Sequence, residues 1–217
     1  GCAFRLSAPA NVTLGGDDLQ MREIPYTSRV PEHKEVEIKF RVTNPSRLEA
    51  RLAELKFRER TPPRNEMNTL YDRAGELRRA GALLRLRRYG DSWLLTFKGK
   101  AEAGGSHKTR VEIETLVGDG ERMNAVLLAL GYAPTFRYEK FRSEWTDGEG
   151  NVVLDQTPIG NFCEIEGAPE WIDHIARQLH VSREHYITKS YAELFLDWQK
   201  QTRSEAEEMT FAAIPRL

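Results

Sequence analysis

The chain has 217 residues, with 32 Lys and Arg against 33 Asp and Glu, a net charge of −1, and 40% hydrophobic and 30% charged residues. That is enough chain to bury a core in one large or two small domains, and its charge balance excludes a basic nucleic-acid coat over the whole molecule while allowing a local basic patch. Two cysteines, Cys2 and Cys163, are too few for a disulfide scaffold or a four-cysteine zinc site, and no apolar run reaches the ~18–20 residues that span a bilayer.

Residues 1–30 mix Gly, Asp, Ser, Thr and Pro without periodicity and read as a poorly ordered extension. They lack the basic, apolar and cleavage-site order of a secretory signal. Gly1-Cys2 reads as an arbitrary fragment start in preference to a lipoprotein remnant, and a cytoplasmic setting is the default. Residues 35–42 alternate strictly and predict a strand. Asn44-Pro45 predicts a helix start, with Leu48, Leu52 and Leu55 at helical spacing behind it. Residues 83–90 and 92–99 predict a hairpin around Gly90-Asp91, and 108–115 predict a further strand. A helix follows over 119–130, with Met123, Leu127 and Leu130 on one side and Gly131 as its stop. Residues 136–145 and 151–157 predict a second hairpin, and 161–167 one more strand. Pro169 opens a helix carrying Ile172, Ile175, Ala176 and Leu179, and a last helix runs from Ser190 to Trp198. Residues 201–217 read as a tail, so the folded domain is expected over 31–200. A faint repeat, in which Glu35–Lys39 and Arg110–Glu114 each lead into a helix and then strands, suggests a duplicated βαββ unit.

The strands share an unusual feature. One face of each is apolar and the other is charged with both signs. Glu35, Glu37 and Lys39 oppose Val36, Ile38 and Phe40, and Arg85 and Arg87 oppose Leu84 and Leu86. Lys98 opposes Phe97, while Arg110, Glu112 and Glu114 oppose Val111 and Ile113. Lys140 and Arg142 share a face, Asp155 stands opposite Leu154, and Glu164 and Glu166 oppose Cys163 and Ile165. Taken one strand at a time, this is an antiparallel sheet with a solvated, mixed-charge face. Three Glu-x-Glu pairs on separate strands change the balance, because like charges side by side repel and call for a compensating cation. If the helices cover the apolar faces from outside, the charged faces line a closed barrel. Its acids suit a hard divalent cation, and its Arg and Lys residues suit an oxygen-rich anion such as a polyphosphate.

With these residues in place the chain resembles the CYTH, or triphosphate-tunnel metalloenzyme, superfamily. Glu35-x-Glu37-x-Lys39 matches its N-terminal hallmark. Arg85-x-Arg87, Thr96-x-Lys98-Gly99, Arg110-x-Glu112-x-Glu114, Lys140-x-Arg142, Asp155, Glu164-x-Glu166 and Ser190-Tyr191-x-x-Leu194 match its later strands and terminal motif, over about residues 33–198. The stretches 68–87 and 154–167 are most similar to the class IV adenylyl cyclase-like branch. The resemblance implies an α+β fold, a closed eight-stranded antiparallel barrel with helices packed outside. It implies Mg²⁺ or Mn²⁺ held among Glu35, Glu37, Glu112, Glu114, Asp155, Glu164 and Glu166. A triphosphate would be held by Lys39, Arg85, Arg87, Lys98, Arg110, Lys140 and Arg142, with Glu35, Glu37 and Lys39 at the catalytic centre and Lys189 a weaker candidate at the mouth. The substrate would be ATP or inorganic tripolyphosphate, and homodimer formation is compatible with this reading.

Two outcomes share that site. Water as nucleophile gives orthophosphate and a diphosphate, whereas the ribose 3′-hydroxyl of ATP gives cyclic AMP and pyrophosphate. The family's cyclases carry His-Phe where this chain has Asn161-Phe162, which counts against cyclisation. Tyr71, Trp93, Tyr138 and Phe141 are candidates to stack a base, though core positions suit them better. A module that binds RNA or polyphosphate without turnover is the competing class. The run Arg73, Arg78, Arg79, Arg85, Arg87 and Arg88 invites it, but so many interleaved Glu residues would weaken its field. Only an RNA 5′-triphosphate end remains as a nucleic-acid partner. The sequence has no P-loop, dinucleotide fingerprint, His-Glu-x-x-His or Gly-x-Ser-x-Gly motif, and its five histidines lack zinc spacing. Cys163 reads as a small buried hydrophobe.

Overall fold

The computed structural model describes residues 33–214; the readings made for residues 1–30, Cys2 among them, fall outside the described residues. The elements in chain order are β1 (His33–Val42), α1 (Pro45–Glu54), β2 (Arg58–Asp72), α2 (Glu76–Arg79), β3 (Leu83–Tyr89), β4 (Ser92–Lys98), β5 (Lys108–Val117), α3 (Gly120–Ala129), β6 (Ala133–Thr146), β7 (Asn151–Thr157), β8 (Gly160–Glu166), α4 (Pro169–Gln178) and α5 (Tyr191–Thr202). The eight strands close into an antiparallel barrel in the order β1-β5-β4-β3-β2-β6-β7-β8. Among the described residues, no helix is long and apolar enough to cross a membrane.

The faint repeat is real at the level of topology, with one strand more than expected. Each half runs β-α-β-β-β apart from the short α2 that the first half adds between β2 and β3, and exchanging β1–β4 with β5–β8 returns the same ring read in the opposite sense. The additional strand is β2, which carries Pro62-Pro63. Its register against β6 breaks between Glu59 and Thr61 and again between Thr61 and Arg64, where the prolines lack an N–H for the ladder.

The helices begin where their caps dictate. Asn44 accepts from the Arg47 amide at 3.0 Å, Asp119 accepts from the Arg122 amide at 3.0 Å, and Ser190 and Glu193 form a reciprocal capping box at α5. Pro45 and Pro169 occupy first-turn positions. The apolar core then lies outside the barrel. Ile38, Phe40, Val152, Cys163 and Ile165 from the outer faces of β1, β7 and β8 pack against Leu52 of α1 and Trp171, Ile172, Ile175 and Ala176 of α4. Tyr71 and Leu86 pack under Leu127 of α3.

A third cluster closes one end of the lumen. Tyr138 and Phe162 lie on the same alternation as the charged residues of β6 and β8, and both pack on Tyr191 at the start of α5. Residues 201–214 differ from the tail expected of them. Met209 is fully buried and Ile214 nearly so, and the Met209 backbone exchanges hydrogen bonds of 3.0 Å with Arg137 and Glu139. β7 pairs with β6 only from Phe141 onward, so the segment takes up backbone groups that β7 leaves unpaired.

The β6–β7 turn is locked to α4. Trp171 donates to Asp147 at 2.9 Å, and a Cβ on Gly150 would sit 2.5 Å from its ring and 2.8 Å from the Glu166 carbonyl. Gly150→Ala is therefore expected to cost about 1–3 kcal/mol, read as a lower urea midpoint. Gly118→Ala, with no atom within 4 Å of the new carbon, is the control that leaves the midpoint in place. Equal midpoints for the two variants would contradict this packing.

Candidate functional site

Because side chains alternate along a strand, putting the apolar faces outside turns the charged faces into the lumen. All fourteen residues singled out in the sequence lie on those faces. They do not gather into one site but divide into two linked groups.

The first group is built by β1, β4, β5 and β8. Register sets Glu35 opposite Arg110, Glu37 opposite Lys108, and Lys98 opposite Glu112. Lys98 bridges Glu35 at 2.7 Å and Glu112 at 2.9 Å, while Arg110 reaches Glu35 at 3.5 Å and Lys108 reaches Glu37 at 3.1 Å. Burial opposes ionisation of Glu35, yet Lys98 and Arg110 outweigh it and bring its carboxyl down to about 2. Glu166 is the exception. It stands opposite Glu37 and has no ion pair among the described residues. Burial, together with Glu35, Glu37 and Glu112, pushes its carboxyl up to about 7 against a partial offset from Lys98. This corner of the lumen is short of positive charge.

The second group, on β2, β3, β6, β7 and β8 with Lys39 of β1 and Glu114 of β5, is rich in cations. Asp155 accepts from Lys140 at 2.9 Å, from Arg142 at 2.6 and 2.7 Å, and from the Tyr191 hydroxyl at 2.6 Å. Four donors use up the acceptor sites of a carboxylate, so Asp155 is arranged as an anchor for the two bases. Glu164 pairs with Lys39 at 2.8 Å and with Arg142. Arg87 pairs with Glu114 at 2.5 Å and approaches Glu66 at 3.5 Å, and Arg85 lies 3.7 Å from Glu114. Burial raises the carboxyl of Glu66, but Lys140, Arg142, Arg87 and Arg85 hold it well below the carboxylate range. Burial likewise lowers Lys39, but Glu164, Glu37 and Asp155 carry its ammonium above the usual lysine value. The Nε atoms of Arg85 and Arg87 are buried and donate to no acceptor among the described residues. An unpaired buried N–H is costly, and an anion entering the lumen would satisfy both.

Four lumen residues were given no role in the sequence, among them Asn68, which is fully buried and donates to Glu66 at 2.9 Å. Glu66 is fully buried, but it sits in β2 beside an exposed Met67 and after two prolines, which hides its alternation. Lys108 continues the Arg110-x-Glu112-x-Glu114 alternation by one step, a signal that was available. Tyr191 was visible in the terminal motif without a role. Its ring lies 4.7 Å from the Lys39 ammonium and 4.8 Å from that of Lys140. The weaker candidates lie elsewhere. Lys189 is exposed and pairs with Asp197 at 2.5 Å, and Arg73, Arg79 and Arg88 bond to nearby surface groups. Trp93 packs on Gly120, Tyr71 donates to Asn124 and Phe141 packs on Phe211 with the rings tilted, so only Tyr138 of the four aromatic candidates faces the lumen. His107 is half-buried and held by Asp173 at 2.9 Å.

Among the described residues, no three carboxylate or imidazole groups stand ready around a single point as a metal site, because most lumen carboxylates are turned toward a Lys or Arg. The donor set nonetheless fits a hard cation. Glu35, Glu37, Glu112 and Glu166 offer oxygen ligands only, and Glu166 leaves negative charge unanswered.

Comparison with known proteins agrees with the fold. The model of the CYTH domain matches residues 33–191. A candidate adenylate cyclase of Methanocaldococcus jannaschii is 26% identical over 171 residues, 74% of this chain and 97% of its own. The solved structure of a candidate adenylate cyclase from Vibrio parahaemolyticus superposes with a TM-score of 0.68 at 23% identity, over 76% of this chain and 99% of its own. A candidate adenylyl cyclase from Hippeastrum, described as having a dominant triphosphatase activity, superposes at 0.58 with 17% identity, over 75% and 95%.

Two predictions follow from the paired lumen. Glu66→Ala leaves Lys140, Arg142 and Arg87 buried without their shared partner and is expected to cost about 3–5 kcal/mol in urea unfolding. A cost below about 1 kcal/mol would mean that these cations do not depend on it. Glu35 is held at about 2 from an ordinary 4.5, so the stability it contributes is present above pH 4.5 and is lost as pH falls toward 2. The melting temperature is expected to drop over that window, and to drop less steeply in Glu35→Gln.

Proposed function

The chain belongs to the CYTH domain family, and from that premise we propose that it is a metal-dependent enzyme acting, inside the barrel, on the triphosphate of a nucleotide or on inorganic tripolyphosphate. The observation that carries this reading is the division of the lumen. A cation-poor cluster of Glu35, Glu37, Glu112 and Glu166 adjoins a basic lining in which two buried guanidinium N–H groups lack acceptors. One end suits Mg²⁺ or Mn²⁺ and the other a chain of phosphoryl oxygens.

Ligands enter by exchange. Triphosphate oxygens replace carboxylates on Arg85, Arg87, Lys98, Arg110 and Lys39, the released carboxylates turn to the cation, and Lys140 and Arg142 offer the phosphate the donor capacity that Asp155 leaves free. When bound, a divalent cation supplies stabilisation of the charge that develops on the phosphoryl oxygens. The residues of the chain do the rest. The Arg forks orient the phosphate chain, and Asp155 with Tyr191 fixes Lys140 and Arg142 so that they need not reorganise during the reaction. The covering helices and the Tyr138–Phe162–Tyr191 closure limit water. Within this reading hydrolysis is favoured over cyclisation. Asn161 stands where the family's cyclases carry His, and the Hippeastrum relative is described by its triphosphatase activity. The setting is taken as cytoplasmic.

The test is incubation with ATP and, separately, tripolyphosphate, each with Mg²⁺ or Mn²⁺, followed by chromatography of the products. Orthophosphate without cyclic AMP is expected. Cyclic AMP with pyrophosphate would make the chain a cyclase, and no turnover of either substrate would overturn the enzyme reading. Glu37→Ala is expected to abolish turnover with an unchanged circular dichroism spectrum. Arg87→Ala is expected to raise the KM for triphosphate by about 10–100-fold, the worth of a charge-assisted hydrogen bond.

A further inference from the structure

Outside the barrel, a cleft of about 840 Å³ opens between α1 and the turn that follows α4. Its size is in the range of small-molecule sites. The end of β1, one face of α1 and residues 179–181 line it. Val42, Leu48, Leu179 and Val181 give it a half-buried apolar floor, and Arg41, Arg47, Arg51 and His180 share the lining. Glu54 is the one acid there, and Arg51 holds it at 2.8 Å while also donating to the Gln178 carbonyl at 3.2 Å. Neither Arg41 nor Arg47 has a carboxylate partner among the described residues.

Arg47 is also badly placed for the helix that carries it. It lies in the first turn of α1, a turn without an acid, where the helix dipole disfavours a cation. Arg51 follows one turn later on the same face, and like charges at that spacing repel. No ion pair offsets either cost. A residue that breaks a local rule without a gain in stability marks a functional position. His180 adds an imidazole to the lining from a position just after α4 with a φ of 60°, where glycine is the usual choice.

The cleft is separate from the tunnel. Arg41 covers the Phe162 ring at 4.9 Å, Phe162 meets Tyr191 edge-on at 5.6 Å, and Tyr191 faces the lumen cations Lys39 and Lys140. The aromatic closure of the barrel therefore stands between the cations of the cleft and those of the lumen.

We propose that this cleft is a second anion site, which takes a small phosphate monoester with a compact apolar body. Arg41 and Arg47 offer unused guanidinium forks to the phosphoryl oxygens. The apolar floor covers the body of the ester, which orthophosphate lacks. The site needs no metal and does not depend on the chemistry of the tunnel.

Calorimetric titration of the full chain with phenyl phosphate and, separately, with inorganic phosphate, both in EDTA, tests this. One phenyl phosphate is expected to bind per chain, about tenfold more tightly than inorganic phosphate, the worth of burying part of a ring. Arg41→Ala and Arg47→Ala are each expected to weaken it about tenfold, the worth of one charge-assisted hydrogen bond. Arg87→Ala, in the lumen, is expected to leave it unchanged. Absence of saturable binding in the wild type overturns the inference, as does equal affinity for the two anions. Loss of binding in Arg87→Ala but not in Arg47→Ala also overturns it, because the ester then sits in the tunnel. Urea unfolding is the control. The midpoint of Arg47→Ala is expected to hold or rise, and a lower midpoint would make Arg47 a structural residue and remove the ground for the site.

Discussion

Glu66, Asp155 and Lys140 are buried to 1% exposure or less, and a charge in that position cannot be left single. Most of what is particular to this molecule follows from that constraint. The described lumen holds eight acids (Glu35, Glu37, Glu66, Glu112, Glu114, Asp155, Glu164, Glu166) and eight bases (Lys39, Arg85, Arg87, Lys98, Lys108, Arg110, Lys140, Arg142), and nearly all are paired across strands. The pairing makes the lumen tolerable in the absence of ligand. It also makes the lumen exchangeable, because a cation and a polyanion entering together can replace each ion pair by two new ones, the base with the polyanion and the carboxylate with the cation. Glu166 and the Arg85 and Arg87 Nε atoms, which lack such partners, are where exchange has least to displace.

The rest of the fold supports this interior. A barrel with a polar lumen cannot bury its apolar residues inside, so the core moves outward and the helices become its cover. Caps at Asn44, Asp119 and Ser190 fix where those helices start, and α5 in turn delivers Tyr191 into contact with Lys39, Lys140 and Asp155. The pseudo-repeat places the Glu-x-Glu hallmark of β1 beside the matching strand β5, so register alone sets Glu35 against Arg110.

Much of this was legible in the sequence because alternation with charge of both signs is rare enough to be diagnostic. The fourteen residues on charged faces all reached the lumen, and Asn44-Pro45, Gly131 and Pro169 marked helix boundaries correctly. What stayed hidden was non-local. Alternation places a residue on a face but does not choose its partner, so the collapse of Asp155 onto Lys140, Arg142 and Tyr191 was not foreseeable, nor was the division of the carboxylates into two groups. β2 was not read in the sequence, because Pro62-Pro63 and a run of polar residues interrupt its alternation, and Glu66 was lost with it. Residues 201–214 read as a tail because the charged stretch 203–208 masks the short apolar run behind it, from Met209 to Ile214, which has no periodicity of its own, and only the unpaired edge of β6 gives that run a place.

The central claim is that the lumen's own ion pairs open to admit a cation and a triphosphate together. A crystal structure with Mn²⁺ and methylene-bridged triphosphate, using the anomalous signal of the metal, tests it directly. The account predicts Mn²⁺ among Glu35, Glu37, Glu112 and Glu166, phosphoryl oxygens on Arg85 and Arg87, and Lys98 drawn away from Glu35. A triphosphate bound outside the barrel, with the Lys98–Glu35 and Arg87–Glu114 pairs intact, would contradict it.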